Sequence, residues 1–211
     1  SGGRKSILPG IAARRSIFYN HSAQSIGHPN CTPGVLRDNP IHRDMLFAAR
    51  QAGLAFILNV LVDERKRVVD AFAGDVEAAH AAGCEAVAAR HRVKRAVGDI
   101  VVTSNGGSPL DLNVYQSVKG LTSAEACVRE GGVIIMCAAL GDGDGTGGKT
   151  FFDCIARHAS PRAVLEAIGQ TPPDQTVEDQ WSAQILARIL CKADCVFVTG
   201  VKYKPMIEAM H

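Results

Sequence analysis

Charge of one sign is what this chain most lacks. Its 211 residues hold 23 Lys plus Arg against 21 Asp plus Glu, a net charge of +2. That balance gives no support to a binder of nucleic acid or another polyanion. No apolar run approaches the roughly 20 residues of a membrane-spanning helix, and the first residues show no signal-peptide pattern. There is no initiator Met. The chain starts Ser1-Gly2-Gly3-Arg4-Lys5, which reads as a fragment or a processed product. Its seven cysteines include no CxxC pair, and Cys191 with Cys195 has neither a second pair nor a neighbouring His to complete a zinc site. Several thiols lie in apolar stretches such as Met136-Cys137-Ala138 and read as buried, reduced residues of a cytoplasmic protein. The Walker spacing and the HExxH zinc motif are both missing.

What remains is the composition of a folded protein: 46% apolar, 5% aromatic and 21 glycines. The length suits one large domain or two small ones. Ser1 to about Gly10 reads as a glycine-rich loop, followed by a helix over 12–25 and a Gly/Pro/Asn-rich loop to about Asn39. Asn39 and Pro40 form a helix start, and Gly53 a stop. Leu54–Val62 and Arg67–Phe72 read as the two strands of a hairpin. An alanine-rich helix then runs from Gly74 or Asp75 to about Arg90. The basic stretch His91–Arg95 is a candidate link, or simply a solvated surface.

Beyond it, Asp99–Ser104, Gly132–Ala139 and Cys195–Val198 read as strands with continuous apolar runs. They alternate with helices over 112–119, 123–129, 149–159, 161–169 and 177–192. This pattern predicts a parallel sheet covered on both faces, with ligands gathering beyond the carboxyl ends of the strands. Two glycine-rich segments sit there, Ser104-Asn105-Gly106-Gly107 and Gly141 to Gly148. The first leads through Pro109-Leu110-Asp111 to Gln116 and Lys119, which share a helix face. An amide and an ammonium on one face can clamp a carboxylate; an exposed polar face is the alternative. Asp142-Gly143-Asp144-Gly145 has the start of a calcium loop without its distal Glu, so a flexible loop is the simpler reading. Ser1 to Lys5 is equally an anion-binding loop or a mobile basic terminus. Trp181, on an apolar helix face, reads as core. None of the seven histidines has metal-ligand spacing.

Taken together, these segments resemble the nickel-pincer-nucleotide lactate racemase family. The matching stretches are Ser-Gly-Gly-Arg-Lys-Ser-Ile-Leu-Pro-Gly at 1–10, Tyr19-Asn20-His21, Asn39-Pro40 with Asp44-Met45, and Phe72-Ala73-Gly74-Asp75. Ser104-Asn105-Gly106-Gly107, Pro109-Leu110-Asp111, and Gln116 with Lys119 complete them. The resemblance implies two α/β domains with the active site in the cleft between them. Residues 1–90 would be the C-terminal part of the cofactor-binding N-terminal domain, and 97–211 a C-terminal α/β domain with a mostly parallel sheet that contacts substrate. The implied cofactor is the nickel(II) pyridinium-3,5-bisthiocarboxylic acid mononucleotide. Lys5 matches the lysine that forms a thioamide to it, and His21 the protein ligand to nickel. Gln116 and Lys119 match the substrate-contacting amide and ammonium, and Trp181 a residue lining the same pocket.

The implied reaction is inversion of a small 2-hydroxy acid by reversible hydride transfer to the cofactor, with two histidines exchanging the hydroxyl proton. Those histidines precede the Lys5 region and are not in this chain, and the family continues past His211. The expectation is therefore a piece of a racemase, lacking an N-terminal segment or chain and inactive alone. A truncated, non-catalytic module binding a small acid or a protein is the alternative, and reconstitution with a separate N-terminal chain a third.

Overall fold

A computed structural model describes residues 3–211; Ser1 and Gly2, the start of the first motif, lie outside the described residues. The chain divides into two compact units, one ending at Lys94 and the other starting at Arg95.

The first unit carries helices α1 (Arg4–Ile7), α2 (Arg14–Asn20), α3 (Ala23–Ile26), α4 (Pro40–Gln51) and α5 (Ala78–His91), with strands β1 (Ile57–Val62) and β2 (Val68–Gly74). The expected loop over the first ten residues is thus partly helical, and the expected helix over 12–25 is two short ones. Ser22, extended at φ −60° and ψ 159°, divides them. Helix α4 begins as its sequence dictates. Asn39 accepts from the His42 amide at 3.2 Å, and Pro40 supplies a preset φ. It ends before Gly53, whose φ of 65° suits only glycine without strain. Asp75 accepts from the Glu77 and Ala78 amides, both at 2.9 Å, and so fixes the entry to α5.

Strands β1 and β2 pair antiparallel, Ile57 opposite Gly74. Their turn is organised by Asp63, which accepts from the amides of Arg65 and Arg67 at 2.9 Å each. A small core of Leu46, Ala49, Ile57, Val76 and Ala79 joins helices to hairpin, with Ile7 and Leu54 packed against it.

The second unit has strands β3 (Gly98–Ser104), β4 (Val128–Cys137) and β5 (Asp194–Val198). They form a parallel sheet in that order, with Ile100 opposite Val133 and Ile134 opposite Cys195. Its helices are α6 (Val114–Glu125), α7 (Lys149–Ala156), α8 (Pro161–Gly169), α9 (Gln180–Lys192) and α10 (Lys204–Glu208). The two helices expected between β3 and β4 are one. Gly120 does not break α6; it packs closely, since a Cβ there would lie 2.4 Å from Asn105 Oδ1 and 3.4 Å from Met136 Cε. Strand β4 starts earlier than expected, since an irregularity in the ladder takes up Arg129–Gly132.

Ile134 and Met136 of β4, Leu121 of α6, Phe151 of α7 and Ile189 of α9 are fully buried. Each such side chain contributes about 1.5–3 kcal/mol of transfer free energy. Arg188 binds both oxygens of Glu125, at 2.9 and 2.7 Å, and Lys192 donates to the Glu125 carbonyl at 2.6 Å, so α9 is fixed to the last turn of α6. The opposite sheet face departs from expectation. Ile100 and Val102 are 62% and 66% exposed, and Val196 and Val198 are also open. The continuous apolar runs correctly signal a parallel sheet, but the expectation that both faces are covered does not hold among the described residues: the helices cover one face.

Candidate functional site

Each unit gathers one group of the residues singled out above. In the first unit, the segment Gly3–Gly10 wraps into α1 and a tight turn. The Leu8 amide donates to the Arg4 carbonyl at 3.1 Å, and the Gly10 amide to the Lys5 carbonyl at 3.0 Å. Gly10 is required there, since a Cβ would fall 2.2 Å from the Ser6 carbonyl oxygen. Leu8 is buried and Ile7 half-buried on the core, which leaves Lys5 exposed.

His21 lies at the C-terminal end of α2. Its neighbour Asn20 is buried and donates to Asp44 Oδ2 of α4 at 2.8 Å, which fixes α2 on α4. The Asn20 Oδ1 is buried with no hydrogen-bond partner. The His21 Nδ1 lies 3.1 Å from the Ile17 carbonyl. A carbonyl only accepts, so Nδ1 carries the proton and Nε2 the lone pair. Burial lowers the His21 pKa; the Ile17 hydrogen bond raises it, and the Lys5 charge lowers it further. His21 is therefore neutral at pH 7, in the tautomer that metal-bound histidines adopt when a backbone carbonyl holds the other nitrogen. An exposed primary amine and a neutral imidazole in mutual electrostatic reach fit the amine-linked, nickel-bearing group that the family resemblance implies. Among the described residues no group of three or more His, Cys, Asp or Glu side chains is arranged to hold a metal.

In the second unit, the loops after β3 and β4 are laced together. Asp111, buried, accepts from the Ala139 amide at 3.0 Å, and its carbonyl accepts from Leu140 at 3.0 Å. The Val114 and Tyr115 amides donate to Gly145 and Thr146 at 2.8 and 3.1 Å. Asn113 caps α6 by accepting from the Gln116 amide at 2.9 Å, and donates to Asp142 at 3.2 Å. Asp144 accepts from both the amide and the hydroxyl of Thr146, which hold its pKa down. The two acidic residues of the second glycine loop are thus spent on loop structure.

This lacing fixes the first turn of α6. The Lys119 Nζ donates to Gln116 Oε1 at 2.6 Å. With its oxygen so engaged, Gln116 presents its NH2, and the ammonium keeps further protons: a donor-only surface suited to a carboxylate. Tyr115, absent from the sequence-derived candidates, is the partner of Trp181. The Trp181 Nε1 donates to its hydroxyl at 3.3 Å, and Phe151 meets its ring edge-on at 5.6 Å. Burial foremost raises the Tyr115 pKa, so the phenol is neutral. Trp181 is half-buried instead of core.

Two family models match separate stretches of the chain. The lactate racemase C-terminal domain model matches residues 93–211, and the lactate racemase N-terminal domain model matches residues 1–34. A lactate racemase of Thermoanaerobacterium thermosaccharolyticum is 49% identical over 210 residues, covering all of this chain and 49% of that protein. One from Lactiplantibacillus plantarum is 48% identical over 211 residues, again with 49% of its length covered. The solved structure of the lactate racemase apoprotein from T. thermosaccharolyticum superimposes with a TM-score of 0.95 at 49% identity, covering 100% of this chain and 50% of that one. The chain spans about half the length of the curated relatives it matches.

Proposed function

The chain belongs to the lactate racemase family, and from that premise we propose that it forms the cofactor-anchoring and substrate-holding part of a nickel-dependent 2-hydroxyacid racemase. Lys5 supplies the amine for a thioamide to a nickel-pincer nucleotide, and His21 Nε2 is the protein ligand to its nickel. When bound, that group supplies the hydride-accepting centre for inversion at the α-carbon. The chain's own residues bind and orient. Lys119 and the Gln116 amide hold the substrate carboxylate, with Tyr115 and Trp181 alongside as a neutral wall. None of the seven histidines matches the family's proton-exchanging pair, so the 211-residue chain alone leaves either lactate enantiomer unchanged.

The observation that carries this reading is the state of His21. Its Nδ1–H is held by Ile17 and its ring is kept neutral by burial, which prepares Nε2 for a metal at physiological pH. The test is nickel content in protein produced by cells that make the cofactor. Wild type retains nickel; His21→Ala loses it at least tenfold while its circular dichroism spectrum is unchanged. Wild-type nickel content in the variant overturns the ligand assignment.

A further inference from the structure

One cluster in the first unit has no role in the reading above. The Arg4 Nη1 lies 2.6 Å from the His80 Nε2 on α5, a contact across 76 positions of sequence. The His80 ring stacks on His42 of α4, with centroids 5.7 Å apart and planes inclined by 26°. Cys84, one turn further along α5, places its Sγ 3.6 Å from the His80 Nε2. A guanidinium only donates, so Nε2 is the acceptor and the His80 proton sits on Nδ1.

Helix α1 has four residues, too few to hold a helical turn on its own. Its position comes from tertiary contacts. Ile7 sits on the small core, a Cβ on Gly3 would lie 3.4 Å from Ile57 Cδ1, and Arg4 reaches α5. Of these, only the Arg4–His80 contact is directional, and Arg4 immediately precedes Lys5.

We propose that His80 is a positioning residue: through Arg4 it fixes α1 and thereby the direction from which Lys5 presents its amine. This rests on Lys5 being the point of cofactor attachment. The device needs a neutral His80. The groups facing it are Arg4 from α1, His42 from α4 and Cys84 from its own helix; Glu77, paired with Arg50, acts on His42. Burial first, then Arg4 and His42, lower its pKa to about 4. The unfolded chain takes up this proton below about 6.5, while the folded unit resists it down to about 4. The contribution of the contact is complete above pH 6.5 and is lost as pH falls toward 4.

The test is hydrogen exchange at the Ser6, Leu8 and Gly10 amides in wild type, His80→Phe and His80→Gln. It is joined to the fraction of Lys5 that carries a cofactor adduct by mass spectrometry. Phe keeps the stack on His42 and removes the acceptor; Gln restores a neutral acceptor that does not titrate. At pH 7, His80→Phe should lose protection at the three amides about tenfold or more, with α4 and β1 unchanged and the Lys5 adduct reduced. His80→Gln should restore both. After correction for intrinsic rates, wild type should lose protection by about tenfold or more between pH 7 and pH 5, and His80→Gln should not. If His80→Phe loosens the whole unit, the pH dependence of wild type against His80→Gln decides.

Unchanged protection in His80→Phe, or equal pH dependence in wild type and His80→Gln, overturns the proposal. So does a loosened α1 with an undiminished adduct. A wild-type Lys5 that never carries the adduct overturns the cofactor reading instead, and is told apart because the exchange pattern does not depend on it.

Discussion

Asn113 is where a single substitution should do most to disorganise the substrate-holding group. It is 7% exposed and makes two side-chain bonds, accepting from the Gln116 amide at 2.9 Å and donating to Asp142 at 3.2 Å. Asn113→Ala removes both. Loss of a helix cap costs about 1 kcal/mol. Loss of a hydrogen bond to a carboxylate costs about 1.5 kcal/mol. The expected destabilisation of the second unit is thus about 2.5 kcal/mol, which is roughly 1 M in urea midpoint at a slope near 2 kcal/mol/M. Trp181 is the one tryptophan of the chain and lies in this unit, so its fluorescence reports the transition. Asn113→Asp keeps the capping oxygen but faces Asp142 with like charge, which raises the carboxyl pKa values in the fold. That variant should be destabilised at pH 7 and recover as pH falls through the carboxylate range. An Asn113→Ala midpoint within 0.2 M of wild type, or an Asn113→Asp variant with no recovery in acid, would refute this account of how α6 is held.

Two further predictions concern packing and thiol chemistry. Gly120→Ala sets a methyl 2.4 Å from Asn105 Oδ1, and Asn105 has no room to yield because its amide already donates to Leu110 and Gln116 at 2.7 Å each. The expected cost is about 1–3 kcal/mol by urea unfolding, whereas Gly169→Ala, with nothing within 4 Å, should be neutral or slightly stabilising; equal effects at the two sites would contradict the packing. Burial and the neighbouring Asp194 push the Cys195 thiol up to about 12, while Cys191 is exposed. At pH 8 about one part in ten thousand of a thiol with such a pKa is thiolate. Iodoacetamide should therefore modify Cys191 at least a hundredfold faster than Cys195, and comparable labelling would contradict the burial of β5's inner face.

Much of the architecture is legible in the sequence because local signals and packing agree. Asn39-Pro40 names its own helix start, and the cap forms, Asn39 accepting from the His42 amide at 3.2 Å. The strands β3 and β5 announce themselves by unbroken apolar runs, and each glycine loop follows its strand as an α/β sheet requires. What misleads is glycine and isolation. Gly120 looks like a break in α6, but its lack of a side chain makes room for Asn105. Helix α1 is four residues long and exists only through contacts far away in sequence, so no local pattern announces it. Tyr115 has no motif of its own; its place is visible only once Trp181, 66 residues on, donates to its hydroxyl. The candidate residues were legible by family resemblance, whereas the tautomer of His21 and the Lys119–Gln116 bond needed coordinates.

The central claim is that Lys5 and His21 anchor a nickel-pincer nucleotide. Mass spectrometry of the Lys5 peptide, from protein made in cells that synthesise the cofactor, tests it most directly. A thioamide-linked adduct on Lys5, with no such adduct on Lys119, is the predicted result. An unmodified Lys5 in protein from cells that demonstrably load another member of the family would contradict it.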